Sequence, residues 1–136
     1  MIKFSDTNIK MTKFREFETS SGTKVLAGKN SENNEELVNQ AGKNEDVFHT
    51  AKPGSPFVNI KGNANAEDKK EAAIFCAVKS QDWRDNKSNV MVHIFNGKDI
   101  YKEKEMKKGT FGIKKYKKIL VKKKDILEFL KNGVNK

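Results

Sequence analysis

The sequence predicts an α+β fold with a mixed or mainly antiparallel sheet, one main helix and one or two short helices. Three observations predict it. Short segments of strand type outnumber helical segments, only one long segment has helical spacing, and the two kinds do not alternate regularly along the chain. A regular alternation would instead indicate a parallel sheet built from strand–helix–strand units.

The predicted strands are short apolar segments bounded by turn-forming residues. Ser20, Ser21 and Gly22 favour a hairpin turn between the first two strands. The loop Pro53-Gly54-Ser55-Pro56 is stiffened by its two prolines and separates the third strand from the fourth. Asn96-Gly97 favours a turn after the fifth. The strands are predicted at residues 13–19, 23–28, 46–50, 57–60, 89–95, 100–101, 110–113 and 117–121.

The main helix is predicted from Ala66 to about Trp83, because alanines and Cys76 recur on one face at helical spacing. Asn65 is a suitable cap, and acidic residues in the first turn complement the helix dipole. A shorter helix is predicted to begin at Asn30 or Ser31 and to end at Gln40, before Gly42. A last amphipathic helix is predicted over residues 125–131, ended by Gly133.

Length and composition indicate one domain over residues 1–136 and exclude several classes of protein. The 136 residues fit a single domain of ordinary size, and nine phenylalanines argue against disorder. No segment approaches the roughly 18 apolar residues that cross a bilayer, and residues 1–13 lack the apolar run of a signal peptide. A single cysteine excludes an internal disulfide framework, so we expect a cytoplasmic protein with no membrane contact.

Positive charge is concentrated in a basic C-terminal segment, residues 98–136. It carries 14 lysines and five acidic residues, a net charge of +9, whereas residues 1–97 carry only +1. The chain has 26 lysines and two arginines, Arg15 and Arg84. Lysine is a flexible point charge, so this balance favours phosphate contacts with little reading of base sequence. A solvated face that keeps the protein soluble is the alternative explanation.

The residues that could carry catalysis or bind metal are scattered. His49, His93 and Cys76 lie in separate elements without zinc-ligand spacing, so we expect neither a metal site nor a cofactor. Cys76 stands in an apolar helical run, which is typical of a core thiol. The glycines of Gly109-Thr110-Phe111-Gly112 lack a phosphate-binding fingerprint. The sequence therefore predicts a protein that is not an enzyme.

Three local features have both a structural and a functional interpretation. Backbone N–H groups at the helix start near Asn30 could face an anion, although ordinary capping explains the same residues. His49 precedes the rigid proline loop, where it is either a strand histidine or part of a shaped site. At the end of the main helix, we expect Trp83 to pack in the core and Arg84 to be exposed.

These features together resemble the NFACT-R domain, the RNA-binding domain of ribosome-quality-control factors that act on the large ribosomal subunit. Gly28-Lys29-Asn30 followed by Asn34-Glu35-Glu36-Leu37 resembles the family's Gly-Arg-Asn…Asn-x-x-Leu signature. Asp46-Val47-Phe48-His49 resembles its Asp…Trp-Phe-His segment, and Pro53-Gly54-Ser55 resembles its Pro-Gly-Ser turn.

Three further motifs follow in the family's order. Ala72-Ala73 with Lys79-Ser80 and Trp83 resembles an Ala-Ala…Tyr-Ser-x-x-Trp helix, and Val90-Met91-Val92 resembles the core strand that follows it. Lys107-Lys108-Gly109-Thr110-Phe111 resembles a Pro-x-Gly-x-Phe segment. The resemblance runs from about Phe14 to Val121, and we expect these residues to form the core of the domain. The order of the motifs is more specific than any single motif.

The chain departs from the family's pattern at several positions. Lys29 replaces an arginine, which turns a bidentate phosphate contact into a point charge. Val47 stands where an aromatic residue is common, and Pro56 where the family often has histidine. The chain is also too short for the N-terminal and coiled-coil parts of the full factors, so it resembles a stand-alone copy of the RNA-binding module, without their roles in tRNA engagement and C-terminal tailing.

The resemblance and the charge predict a non-enzymatic RNA-binding module. Its partner would be structured transfer or ribosomal RNA, held through phosphate contacts, with the large ribosomal subunit and ribosome-associated quality control as the setting. The expected RNA-binding residues are Lys29, Asn30, Asn34, His49, Ser55, Arg84, Lys107, Lys108, Lys114, Lys115, Lys117 and Lys118.

Two other functions remain open. The scarcity of arginine and the lack of a clear aromatic RNA platform in the sequence favour a protein-interaction module that docks on a ribosomal or quality-control protein. In that case the lysines serve solubility. A third interpretation is an enzyme that uses His49 on a phosphodiester or small anionic substrate, but the sequence shows no paired acid and base for it.

Overall fold

A six-stranded antiparallel sheet with helices on both faces forms the protein, described here by a computed structural model of residues 14–132. The strand order is β1-β2-β4-β3-β5-β8, and β6 and β7 form a separate two-stranded ribbon. The α+β prediction is confirmed, and every pairing in the sheet is antiparallel. The strands are β1 (Arg15–Glu18), β2 (Lys24–Ala27), β3 (Asp46–Thr50), β4 (Val58–Ile60), β5 (Val90–Asn96), β6 (Ile100–Tyr101), β7 (Gly112–Ile113) and β8 (Lys117–Val121).

Four α-helices complete the fold within the described residues. They are α1 (Ser31–Gln40), α2 (Ala66–Val78), α3 (Gln81–Asn86) and α4 (Lys123–Lys131), and one turn of 3₁₀ helix follows β5 at Gly97–Asp99. The capping predictions for α1 and α2 are confirmed, since Asn30 accepts from Asn33 N–H and Asn65 forms a reciprocal capping box with Asp68. In the part of the chain that the structure describes, no helix is long and apolar enough to span a membrane.

The main helix differs from its prediction, because it ends at Val78 rather than near Trp83. Ser80 starts a new helix: its hydroxyl accepts from Trp83 N–H at 3.1 Å and donates to the Ala77 carbonyl at 2.7 Å. The buried Ser80 hydroxyl thus bonds one free carbonyl at the end of α2 and one free N–H at the start of α3. These bonds favour two helices over one continuous helix.

Smaller differences affect other predicted boundaries. Asn96 is the last residue of β5, and the chain continues into the 3₁₀ helix instead of a two-residue turn. The last helix begins at Lys123, two residues earlier than predicted. The predicted start of β1 at Lys13 and the predicted stop at Gly133 lie outside the described residues.

The main core lies between the sheet and helices α2 and α4. Ala72, Ala73 and Cys76 are fully buried there, which confirms the core interpretation of the cysteine, and burial raises the pKa of its thiol to about 12. The Phe17 and Phe75 rings stack with centroids 5.0 Å apart. Small residues on α2 let the helix approach the strands closely, and the aromatic rings fill the space towards α4.

A second core lies on the opposite face of the sheet. Side chains alternate between faces along a strand, so Phe48 joins the α2 side while Val47 and His49 point the other way. Leu37 from α1 packs there against Val47 and Phe95. Among the described residues, helix α1 and the β6–β7 ribbon cover part of this face. The motifs that contain Asn34, His49, Ser55 and Phe111 meet there, whereas the Ala72-Ala73 and Val90-Met91-Val92 motifs belong to the main core.

Candidate nucleic-acid interface

Helix α1 starts in a network of asparagine side chains. Asn30 Oδ1 accepts from Asn33 N–H at 2.8 Å, and Asn33 Oδ1 accepts from Lys29 N–H at 2.9 Å. These bonds occupy the backbone N–H groups of Lys29 and Asn33, two of the groups near Asn30 that could otherwise have bound an anion. The capping interpretation of Asn30 is therefore confirmed, and any attraction for anions at this helix start comes mainly from side chains.

Asn34 ties the start of α1 to the loop before β4. Its Oδ1 accepts from Phe57 N–H at 3.2 Å, while Gly28 N–H donates to the Phe57 carbonyl at 3.1 Å. A Cβ on Gly28 would stand only 1.9 Å from Asn34 Oδ1. The glycine is required because the asparagine passes directly over it, and this close approach explains the Gly-Lys-Asn…Asn spacing in the sequence.

Gly28→Ala should therefore destabilise the protein by about 2 kcal/mol, because the new methyl group must displace Asn34 from a buried backbone N–H. Urea unfolding measures the loss. Asn34→Ala alone should also destabilise, but the double variant Gly28→Ala/Asn34→Ala should lose clearly less than the sum of the two single losses. Additive losses would show that the two residues do not clash.

Four cationic side chains line a cavity of about 270 Å³ beside the contact between Gly28 and Asn34. We call it the basic cavity. Its cations come from β1, from the start of α1, from the end of α2 and from α3, and they are Arg15, Lys29, Lys79 and Arg84. The only two arginines of the chain thus meet at one site, although they are 69 positions apart in sequence. Backbone and small polar groups form the rest of the wall: Gly28, Asn30, Ser31, Asn34, Gly54, Ser55 and Pro56.

The residues that line the basic cavity include four cations and no carboxylate among the described part of the chain. Among residues 14–132, none of its four cations has a carboxylate oxygen within 4.0 Å. Arg15 donates to the Gly28 carbonyl at 3.3 Å, and Arg84 donates to Gln81 Oε1 at 3.0 Å. Burial and then the charge of Arg15 lower the pKa of Lys79. An anion placed here would relieve this mutual repulsion.

Aromatic rings line a second cavity of about 320 Å³ on the α1 face of the sheet. We call it the aromatic cavity, and its rings are His49, Phe57, His93, Phe95 and Phe111. The His49 and Phe57 centroids are 4.5 Å apart, and Phe57 meets Phe111 edge to face at 5.4 Å. The two cavities adjoin, because Asn34, Gly54 and Ser55 line both.

His49 is a half-buried, neutral member of the aromatic cavity. Its Nδ1 lies 2.8 Å from the Thr50 carbonyl oxygen and must donate to it. Burial lowers the pKa of His49, and the nearby His93 lowers it further, while the bond to Thr50 opposes them. Ser55 closes the adjacent loop: its hydroxyl accepts from Thr50 N–H and donates to the Pro56 carbonyl, each at 3.1 Å.

The loop that carries Lys107 and Lys108 is fastened to α1. Glu35 Oε2 accepts from Gly109 N–H at 2.7 Å and from the ammonium of Lys102. Gly109 has φ of +83°, and its Cα comes so near Ser31 that an added Cβ would lie 3.0 Å from that residue. The left-handed glycine therefore lets the loop close against the first turn of α1, which brings both exposed lysines near the basic cavity.

The other predicted lysines lie at the free edge of the sheet. Lys114 and Lys115 precede β8, and Lys117 and Lys118 belong to it, all four exposed. β8 is an edge strand whose Lys118 pairs with His93 of β5. Burial and the charge of Lys118 lower the pKa of His93. Tyr116 stacks on His93 with centroids 4.1 Å apart, so Tyr116 and Lys118 lie beside the aromatic cavity, whereas Lys117 pairs with Ile94 and points to the α2 side of the sheet.

The structure brings most of the predicted site residues together but changes their roles. Lys29 and the exposed Arg84 present charge to the basic cavity, whereas Asn30, Asn34 and Ser55 hold the backbone that shapes it. Trp83 is buried, as expected. Sequence reasoning missed Arg15 and Lys79 in the basic cavity and Phe57, His93, Phe95 and Phe111 in the aromatic one. No sequence signal joined Arg15 to Arg84, although the planar fork of arginine suits phosphate better than lysine does.

The described part of the chain contains no cluster of three or more His, Cys, Asp or Glu side chains suited to a metal ion. Among solved structures, the C-terminal of the fibronectin/fibrinogen-binding protein from Streptococcus suis is similar, with a TM-score of 0.75 and 27% identity. The match covers 85% of this chain and 48% of that one, so the chain spans about half the length of its solved relative. No curated protein matches the sequence.

A sequence model of the NFACT protein RNA binding domain matches residues 13–115. That range contains β1 to β7, both cavities and the fastened lysine loop. This family is defined by RNA binding rather than by catalysis, which agrees with a non-enzymatic module whose partner is RNA. The chain belongs to the family of NFACT protein RNA binding domains.

Proposed function

We propose that the protein binds structured RNA, transfer or ribosomal, through phosphate contacts centred on the basic cavity. The observation that carries this proposal is the meeting of Arg15, Lys29, Lys79 and Arg84 with no carboxylate within 4.0 Å among the described residues. Guanidinium forks bind phosphate oxygens in pairs, and lysines add point charges. A phosphate in the cavity would neutralise cations that have no carboxylate partner among residues 14–132.

The lysines of the fastened loop and of the β8 edge extend this positive surface. Lys107 and Lys108 lie beside α1, and Lys114 to Lys118 follow the sheet edge next to the aromatic cavity. Contacts of exposed lysines are sequence-independent and release counterions from the RNA. Their spread over a loop and a strand fits a folded RNA surface, on which several phosphates lie at different heights.

The family and the positive charge also support a proposal about the cellular setting. We propose the cytoplasm as the location, the large ribosomal subunit as a place of binding and ribosome-associated quality control as the process. Family membership in the NFACT RNA-binding domains supports this setting. Cosedimentation with purified large subunits tests it: the protein should pellet with subunits at low salt and stay in the supernatant without them.

Charge reversal at the sheet edge tests the electrostatic part of the proposal. The variant Lys114→Glu/Lys115→Glu/Lys117→Glu/Lys118→Glu should bind transfer RNA about 100-fold more weakly at roughly 0.1 M salt. These side chains are exposed, so folding should be preserved. Fluorescence anisotropy with labelled RNA measures the affinity.

The matched control reverses four exposed lysines on helices α2 and α4 that line neither cavity, Lys70, Lys123, Lys124 and Lys131. It changes the net charge by the same amount but should weaken binding only severalfold, through long-range attraction. Equal losses in the two variants would mean that the lysines act through net charge and not through contact.

A protein-interaction module is the second candidate function. The position of the lysine row favours it, because natural proteins place lysines on free strand edges to prevent edge-to-edge pairing. The lysines would then serve solubility. Capture of a ribosomal or quality-control protein that survives nuclease treatment would support this function, and complete loss of capture on nuclease treatment would support RNA.

A further inference from the structure

We propose that the aromatic cavity receives the base of one unpaired nucleotide whose phosphate lies in the basic cavity. The inference rests on the proposed RNA-binding function and adds a specificity to it. The two cavities share Asn34, Gly54 and Ser55 as a common wall, so a phosphate in one and a ring in the other belong to neighbouring positions.

The walls of the aromatic cavity fit a flat aromatic ligand. Phe57 and Phe111 meet edge to face at 5.4 Å, and His49 tilts against Phe57 at 4.5 Å. These rings pack against one another, and the faces and edges that remain accessible form an aromatic wall of the cavity, on which one base could stack. The volume of about 320 Å³ lies at the lower end of small-molecule sites, which suits one base better than a larger ligand.

His49 offers the cavity a hydrogen-bond acceptor. Because Nδ1–H donates to the Thr50 carbonyl at 2.8 Å, the neutral ring keeps the lone pair on Nε2. No group among residues 14–132 bonds to Nε2, and the atom is not buried. An N–H or amino group on the edge of a base could donate to it, and the Thr110 hydroxyl at the rim adds a second polar contact.

A base can enter the aromatic cavity only when it is no longer stacked between its neighbouring bases. Paired bases in an A-form helix present their edges in a shallow groove and their faces to neighbouring bases, so only loops, bulges and ends supply an extruded base. The basic cavity would then hold the backbone next to the extruded nucleotide. The module would prefer folded RNA with an unpaired nucleotide over a continuous duplex of equal charge.

The test uses three labelled RNA hairpins of equal stem length: fully paired, with one bulged 2-aminopurine nucleotide, and with an abasic residue in the bulge. We expect the protein to bind the 2-aminopurine bulge about tenfold more tightly than the other two. Binding should also change the 2-aminopurine fluorescence, because the base moves from its stack to the aromatic cavity.

Phe111→Leu supplies the matching protein variant. It keeps an apolar side chain at a half-buried position but removes the ring, so it should fold as the parent does by circular dichroism. We expect it to lose most of the preference for the bulged base and to keep the parent's affinity for the paired hairpin. Phe111→Ala should give the same pattern more strongly.

The possible failures are distinguishable. Equal affinity for all three hairpins in the parent protein, or equal loss on all three in Phe111→Leu, would overturn the base pocket and leave phosphate binding intact. Failure of the folded parent to bind any hairpin at low salt would overturn the proposed function and the inference with it.

Discussion

Replacing both arginines by glutamine, in the variant Arg15→Gln/Arg84→Gln, should lower the affinity for structured RNA about 100-fold at roughly 0.1 M salt. Each guanidinium stands at the wall of the basic cavity without a carboxylate partner among the described residues. A hydrogen bond to a charged group contributes about 1.5–3 kcal/mol, so two lost phosphate contacts account for a change of this size. Fluorescence anisotropy with labelled transfer RNA measures it.

Two controls separate contact from charge and from folding. Lys70→Gln/Lys131→Gln removes the same charge from exposed positions on α2 and α4 that do not line the basic cavity, and should leave affinity nearly unchanged. Arg15→Lys/Arg84→Lys keeps the charge but loses the planar fork, and should bind with intermediate affinity. Parent-like affinity of the double glutamine variant, with an unchanged melting temperature, would show that the basic cavity does not hold phosphate.

Glu45→Gln should destabilise the protein by about 2–3 kcal/mol at pH 7, the largest stability loss that we expect from a single conservative change. Glu45 lies between α1 and β3, where its carboxylate joins its own loop to the residues that follow β4. Oε1 accepts from Gly42 N–H and from the Lys61 ammonium, each at 2.8 Å, and Oε2 accepts from Gly62 N–H at 3.1 Å. Glutamine keeps one acceptor but loses the charge and the second oxygen.

The same carboxylate makes stability depend on pH. Burial by itself would raise the pKa of Glu45, but the bond from Lys61 and the two backbone N–H groups outweigh it and lower the pKa from 4.5 to about 2. A shift of this size corresponds to roughly 3 kcal/mol. Since the unfolded chain takes up the proton first, this stabilisation is complete above pH 4.5 and is lost as the pH falls towards 2.

Urea unfolding between pH 2 and pH 7 tests this dependence. The parent should lose stability steeply below pH 4.5, whereas Glu45→Gln should start lower and show a flatter profile. Glu105→Gln, at an exposed loop position, should follow the parent. Parallel profiles for the parent and Glu45→Gln would contradict the role assigned to this carboxylate.

Most secondary structure could be predicted from local sequence because its signals are local. β3 and β8 occupy the predicted residues, since apolar runs bounded by turn residues define both. The exception is the break after α2. Ser80 and Trp83 continue the helical spacing of Ala73, Cys76 and Ala77, but the Ser80 hydroxyl makes hydrogen bonds to both helix ends. Such a cap competes with helix continuation only when the surrounding core holds it, which a pattern of residue types does not reveal.

The candidate site was predictable only where a motif is continuous. The joint at Gly28, Asn30 and Asn34 could be found because its members lie within seven residues. The basic cavity could not, because Arg15 reaches it through a β1–β2 hairpin and Arg84 through a helix that begins only after the break at Ser80. His93 enters the aromatic cavity through its register with His49, a pairing that the sequence leaves open.

The measurement that tests the central claim most directly is the anisotropy of the parent protein with labelled transfer RNA, a single-stranded RNA and a matched DNA duplex across a salt series. Each phosphate contact contributes about −0.7 to −0.9 to the slope of log K against log salt. We predict preference for transfer RNA and a slope of roughly −3 or steeper, as the four cations of the basic cavity and the neighbouring lysines require. Weak binding that is equal for the three nucleic acids and vanishes near physiological salt would contradict the claim.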